Sequence, residues 1–138
     1  MMSVQHSERE IIKQLLTEAR TIAVVGLSDK PDRISYLVAA NMQASGYHII
    51  PVNPLVKGSI LNEQVYASLA DIPIPVDIVN VFRRSEHTPE VAQEAADIGA
   101  KALWLQLGIS NEEAARIARD HGLTVIMDRC IKVEAAQI

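Results

Sequence analysis

Five of the 13 Lys and Arg residues in this 138-residue chain fall directly after apolar runs: Lys30, Arg33, Lys57, Arg83 and Arg84. In a chain of formal net charge −4 this placement points to a local polyanion site rather than a basic surface. The first run, Thr21-Ile-Ala-Val-Val25, passes into Gly26-Leu-Ser28 and then Asp29-Lys-Pro-Asp-Arg33 before a helical pattern begins. Gly26 allows the chain to turn and its backbone N–H groups to approach an anion. The N-terminus of the following helix aims unpaired N–H groups and the positive end of its dipole at the same point. The chemistry implied is the binding of a phosphorylated ligand.

The pattern differs from that of a dinucleotide site, which needs three glycines and an acidic residue near the end of the second strand for a ribose hydroxyl. Here Gly26 stands alone, and the second strand runs into Asn53-Pro54-Leu-Val-Lys57-Gly58. An amide, a rigid turn and a cation suit a phosphorylated ribose better than a free one. Arg83 and Arg84 are adjacent, so in an extended segment only one faces the ligand, and Arg83 is the better candidate. Asn53 has a competing role in capping its own Asn-Pro turn. Trp104 is expected in the core, with Gln106 on its face if the strand continues that far. No ordered Ser, His and Asp triad and no pair of carboxylates at strand ends marks a catalytic centre. His6, His48, His87 and His121 lack metal-ligand spacing. Cys130 is the only cysteine; it is either a small buried hydrophobe or, flanked by Arg129 and Lys132, a thiol open to exchange.

These residues need a framework of alternating strands and helices. Ser7-Glu-Arg-Glu10 reads as a capping box for a helix over about 7–19, with Ile11, Ile12, Leu15, Leu16 and Ala19 on its apolar face. The helix after the phosphate turn starts between Asp32 and Ser35, carries Ile34, Leu37, Val38 and Met42, and stops at Gly46. Strands are expected at Tyr47 to Val52, Val76 to Phe82, Lys101 to Leu107 and Leu123 to Met127, with a short helical turn near Tyr66 to Ala70. Thr88-Pro89 reads as an N-cap and first helical residue, Ser110-Asn-Glu-Glu113 as a second capping box, with Gly99 and Gly122 as stops. The order is β-α throughout. It predicts an α/β, Rossmann-like, doubly wound parallel sheet of about five strands with helices on both faces, binding ligands beyond the C-terminal strand ends.

Taken together, Val25-Gly-Leu-Ser28, Val52-Asn-Pro54 with Lys57-Gly58, Val81-Phe-Arg-Arg84 and Leu103-Trp-Leu-Gln-Leu-Gly-Ile109 resemble the strand-end motifs of single-domain CoA-binding proteins. The resemblance covers nearly the whole chain, including Met127-Asp-Arg-Cys-Ile-Lys-Val-Glu134. A more distant one links it to the N-terminal domain of the succinyl-CoA synthetase alpha subunit, without the second domain that carries that enzyme's phosphorylated histidine. What the resemblance implies is that Gly26, Leu27 and Ser28, with Lys30 and Arg33, cradle CoA phosphates. Asn53, Pro54 and Lys57 would border the nucleotide, Val81, Phe82 and Arg83 the adenine and pantetheine side, and Gln106, Gly108 and Ile109 the pantetheine arm.

Composition sets the outer bounds. The length fits one domain spanning residues 1–138, and 49% hydrophobic with 22% charged residues is a globular balance without a linker, repeat or low-complexity segment. An acidic balance and 4% aromatic residues argue against nucleic acid. A polar Met1 to Glu10 and the lack of a long apolar run argue against a signal peptide or membrane span and for a cytoplasmic location. The expected function is binding of coenzyme A or acyl-CoA through its phosphates at the C-terminal strand ends, non-catalytic or regulatory, with no metal and an unknown protein partner. Two alternatives stand beside it: an NAD(P)-dependent or other nucleotide-dependent enzyme, and an interaction subunit of a ligase-type partner.

Overall fold

The computed structural model describes residues 7–138; His6 and the polar stretch before Ser7 lie outside them. Helix α1 (Glu8–Glu18) opens on its capping box: Ser7 Oγ accepts from the Glu10 N–H at 3.2 Å and donates to Glu10 Oε1 at 3.0 Å. There follow β1 (Thr21–Val25), α2 (Ile34–Ala44), β2 (His48–Val52), a hairpin of β3 (Ser59–Ile60) and β4 (Glu63–Gln64), and β5 (Ile78–Val81). Then come α3 (Thr88–Asp97), β6 (Ala102–Leu105), α4 (Glu112–Asp120), β7 (Thr124–Ile126) and α5 (Ile131–Ala135).

Five strands form one parallel sheet in the order β2-β1-β5-β6-β7. Alternate residues of each strand serve opposite layers. Ala23, Val79, Val81, Leu103 and Leu105 face Val91, Ala92 and Ala95 of α3 and Ala114, Ala115 and Ala118 of α4. Ile22, Val24, Ile78 and Trp104 face Ile12 and Leu16 of α1, Val38, Ala39 and Met42 of α2, and Ile131 of α5. Burial on both sides explains why the strands read as unbroken apolar runs. This is the Rossmann-like α/β arrangement that the β-α alternation predicts. Pro51, with no N–H to give, is tolerated because β2 is an edge strand of this sheet.

Local details differ. Thr88 is the first residue of α3 rather than its cap, because a 3-10 turn over Ser85–His87 precedes it and Thr88 Oγ1 donates to the Ser85 carbonyl at 2.6 Å. The cap of α4 is Asn111, whose Oδ1 accepts from the Ala114 N–H at 2.9 Å, while Ser110 donates its N–H to Ser85 Oγ. The expected helical turn near Tyr66 to Ala70 is a 3-10 turn at Leu69–Asp71, and Tyr66 instead bridges to Val52 of β2. At the N-terminal end of the sheet, Asp77 Oδ2 accepts from the N–H groups of Arg20 and Thr21 at 2.8 and 3.0 Å, tying β5 to the start of β1.

β1 lies between β2 and β5, so the chain leaves β1 for α2 on one face and leaves β5 for α3 on the other. The two connections part at the C-terminal strand ends. That divergence opens a crevice where ligands bind in such sheets.

Candidate functional site

Backbone hydrogen bonds bring the strand-end motifs level with one another. The Gly26 N–H donates to the Val52 carbonyl at 2.9 Å, Phe82 N–H to Val25 at 2.9 Å, Gln106 N–H to Val81 at 3.2 Å, and Asp128 N–H to Ile109 at 3.1 Å. Segments far apart in sequence thus form one row along the top of the sheet.

The turn from Gly26 to Arg33 is held by two serines. Ser35 Oγ accepts from the Ser28 N–H at 3.0 Å, and Ser28 Oγ accepts from the Lys30 N–H at 3.1 Å. The start of α2 is left open. Its N-cap, Arg33, makes no side-chain capping bond and its first turn holds no acidic residue, whereas α1 and α4 are capped by Ser7 and Asn111. An uncapped helix start leaves N–H groups for an outside acceptor. A cavity of about 340 Å³ lies there, lined by Gly26, Ser28, Lys30, Arg33, Ile34, Ser35 and Phe82. Asp29 and Asp32 are exposed and do not line it. Ser35 was not legible as a site residue; the signal for it is a small hydroxyl in the first helical turn after a strand and glycine.

Gly26 has a structural reason of its own. Its φ is +86°, and a Cβ there would stand 2.8 Å from the Phe82 carbonyl oxygen. The glycine therefore lets the end of β5 sit over the β1 turn whether or not a ligand is present. Leu27 is fully buried in the core beside α2, and Val81 is fully buried toward α3. Only their backbone reaches the row.

Asn53 is a brace. Its Nδ2 donates to the Leu27 carbonyl at 3.0 Å and its Oδ1 accepts from the Leu55 N–H at 2.9 Å, so the turn after β2 holds the turn after β1. Pro54 and Arg83 line a second cavity, of about 190 Å³, while Lys57 is exposed and lines neither of the two. Arg84 occupies the N-cap position of the 3-10 turn before α3, without a side-chain capping bond, and does not line this cavity.

Gln106 is turned inward and almost fully buried. Its Oε1 accepts from Asn80 Nδ2 at 3.3 Å and from the Ile131 N–H at 3.2 Å, capping α5 from within. Gly108 donates its N–H to Asp128 Oδ1 at 2.7 Å, and Ile109 packs on the α3 and α4 layer. The loops after β6 and β7 are thereby zipped together. Tyr36 packs on the α1 and α2 layer, and Trp104 is fully buried with its Nε1 donating to the Arg129 carbonyl at 2.8 Å. Cys130 is half-buried at the start of α5, packed against that same layer. Arg129 is engaged elsewhere, with its Nε 2.6 Å from Glu8 and its Nη1 3.7 Å from Glu134.

Another cavity, about 650 Å³, lies along the open edge of β7 beside α1 and includes none of the candidate site residues. Among the described residues no group of three or more His, Cys, Asp or Glu is placed to hold a metal, and no helix is long and apolar enough to cross a membrane.

Fold and site together define a Rossmann-like domain whose turn after β1 is open, uncapped and flanked by Lys30 and Arg33. Residues 20–136 match the CoA binding domain family, and the chain belongs to that family. It is 49% identical to the protein YneT of Bacillus subtilis (strain 168) over 133 residues, covering 96% of this chain and 98% of that one. A solved structure of a hypothetical protein from Pyrococcus horikoshii OT3 superposes with a TM-score of 0.91 at 32% identity, covering 99% of this chain and 98% of the other. The alpha subunit of an ADP-forming acetate–CoA ligase I from Pyrococcus furiosus is 28% identical over 130 residues. That match takes in 82% of this chain and 28% of the subunit, so the chain is related to one part of that protein.

Proposed function

We propose that the protein binds coenzyme A, or an acyl-CoA, with the ligand's phosphates at the turn after β1, and that it acts as a carrier or regulatory module in the cytoplasm. The observation that carries this reading is the uncapped start of α2, open to a cavity beside Lys30 and Arg33, in a chain of the CoA binding domain family. Helix N–H groups supply neutral donors, and the two cations supply charge-assisted bonds to phosphate oxygens. The rest of the row, from Asn53 through Phe82 and Gln106 to Asp128, is a ledge along which an extended arm would lie. An NAD(P) reading has less support, because the end of β2 offers no carboxylate for a ribose hydroxyl and the Asn53 amide is already bonded on both sides. The match to part of a ligase subunit supports a second reading, in which the module serves a separate catalytic protein.

Thermal unfolding with CoA, acetyl-CoA, NAD, NADP and ATP in parallel tests the proposal. A ligand at a hundredfold excess over its Kd stabilises by about 2.7 kcal/mol, which for a domain of this length is a rise of about 9 °C. CoA or acetyl-CoA should give that rise and NAD and NADP should not. A rise with NAD or NADP alone would refute the proposal.

A further inference from the structure

Helix α2 differs from the other helices in what it shows to solvent. From Ile34 to Val56 the chain carries no Asp, Glu, Lys or Arg, whereas α1, α3, α4 and α5 all bear charged residues. Ser35, Val38, Ala39 and Met42 are the buried face of α2. The opposite face holds Ile34, Leu37, Asn41 and Ala44, all exposed, Ile34 by 69% and Leu37 by 53%. The helical pattern groups Ile34 and Leu37 with Val38 and Met42; burial separates the two pairs. Steps of three, four and three residues are the a and d spacing of a helix that packs against another helix. Beside α2, the shorter α5 exposes Val133.

This face is graded from end to end. Bulky Ile34 and Leu37 occupy its N-terminal half, and Ala44, with half-buried Ala40 beside it, the C-terminal half. Charge follows the same direction. The N-terminal end carries the positive pole of the dipole and Arg33 as its cap residue, and the last turn holds no basic residue to offset the negative pole. A second copy laid antiparallel answers both gradients, setting bulky residues against small ones and positive helix end beside negative at each end. Such self-complementarity is what a two-fold interface requires, since residue i meets j and j meets i. A parallel copy would set Arg33 against Arg33 and small residues against small.

We propose that this face of α2 joins two copies of the chain about a two-fold axis, with the two α2 helices antiparallel. Ile34 then lies over the partner's Ala44 and Leu37 beside the partner's Asn41. The Asn41 amide makes no hydrogen bond among the described residues, and a polar residue at such a seam position fixes register at a cost in stability. Eleven residues span about 16 Å, so the contact falls short of the roughly 800 Å² per partner of a standard interface, and the dimer is a weak one.

Sedimentation equilibrium of the whole chain tests this. From about 10 µM to about 1 mM, the range suited to an interface below standard size, the average mass should rise from that of one chain toward that of two. Leu37→Lys should stay at the mass of one chain throughout. Its side chain is exposed in the single chain, so its circular dichroism should match that of the unaltered protein. Orientation is read by oxidative cross-linking in a Cys130→Ser background. Leu37→Cys mixed with Asn41→Cys should give a linked pair, and each alone should give several-fold less, because a disulfide needs Cα atoms within about 7 Å and like positions stand farther apart across the axis. A mass that remains that of one chain up to about 1 mM would overturn the proposal, as would association that Leu37→Lys leaves intact. Stronger linking of either cysteine variant with itself than with the other would overturn the antiparallel arrangement.

Discussion

Replacing Gly26 by alanine separates what the fold requires at the turn after β1 from what a ligand would require. Two costs are readable at this position. A φ of +86° costs an L-residue about 1–2 kcal/mol. A Cβ 2.8 Å from the Phe82 carbonyl oxygen forces backbone apart, since that carbonyl belongs to the segment bonded to Val25 at 2.9 Å; overpacking of this kind costs about 1–3 kcal/mol. Together they predict a loss of about 2–5 kcal/mol, or about 7–17 °C in Tm for a domain of this length. Gly99 is the control. Its φ is +72° and nothing stands within 4 Å of an added Cβ, so Gly99→Ala should show the backbone cost alone, about 1–2 kcal/mol. Urea unfolding of both variants, with matched m-values, measures the difference that belongs to the Phe82 contact. If Gly26→Ala costs no more than Gly99→Ala, the Phe82 carbonyl is not the constraint, and the missing Cβ must be explained by the ligand instead.

Other outcomes follow from the same geometry. Lys30→Ala with Arg33→Ala should weaken CoA binding and flatten its dependence on ionic strength; an unchanged Kd across salt concentrations would contradict a cationic phosphate site. Asp77 is partly desolvated, which raises its pKa, but the N–H groups of Arg20 and Thr21 and the charge of Lys101 more than offset this and lower it. A lowered folded-state pKa means stabilisation present above the unfolded value, about 3.9, and lost as pH falls through the folded one. Asp77→Asn should therefore be less stable than the unaltered chain at pH 7, with the gap closing below about pH 4; a gap independent of pH would refute this. Gln106→Ala leaves Asn80 Nδ2 and the Ile131 N–H short of an acceptor, for about 1–3 kcal/mol, and should speed hydrogen exchange at Ile131. Arg129→Ala should leave the rate at which Cys130 reacts with CoA disulfide unchanged by intact mass, since Glu8 and Glu134 already take up the Arg129 charge. A slower reaction would restore Arg129 as the partner of the thiolate.

Local rules carried the fold. Unalternated β-branched runs separated by amphipathic segments specify a parallel sheet covered on both faces, and the helix stops at Gly46, Gly99 and Gly122 follow from chain chirality, which needs no knowledge of neighbours. The same rules placed cations after strands, and strands end together only because parallel pairing aligns them. Side-chain direction was beyond their reach. Asn53, Gln106 and Ser35 are polar residues near strand ends, and the sequence offers no way to tell ligand contact from internal brace. Tertiary structure turned Gln106 inward to cap α5 and Asn53 sideways to hold Leu27, because buried donors and acceptors must be paired. It also shifted two helix caps by one residue, through Ser85, which lies 25 positions from Ser110. Last, it set Glu90 and Glu94 of α3 against Val25 and Val52 of β1 and β2, a juxtaposition created by the crossover between faces and invisible in any local window.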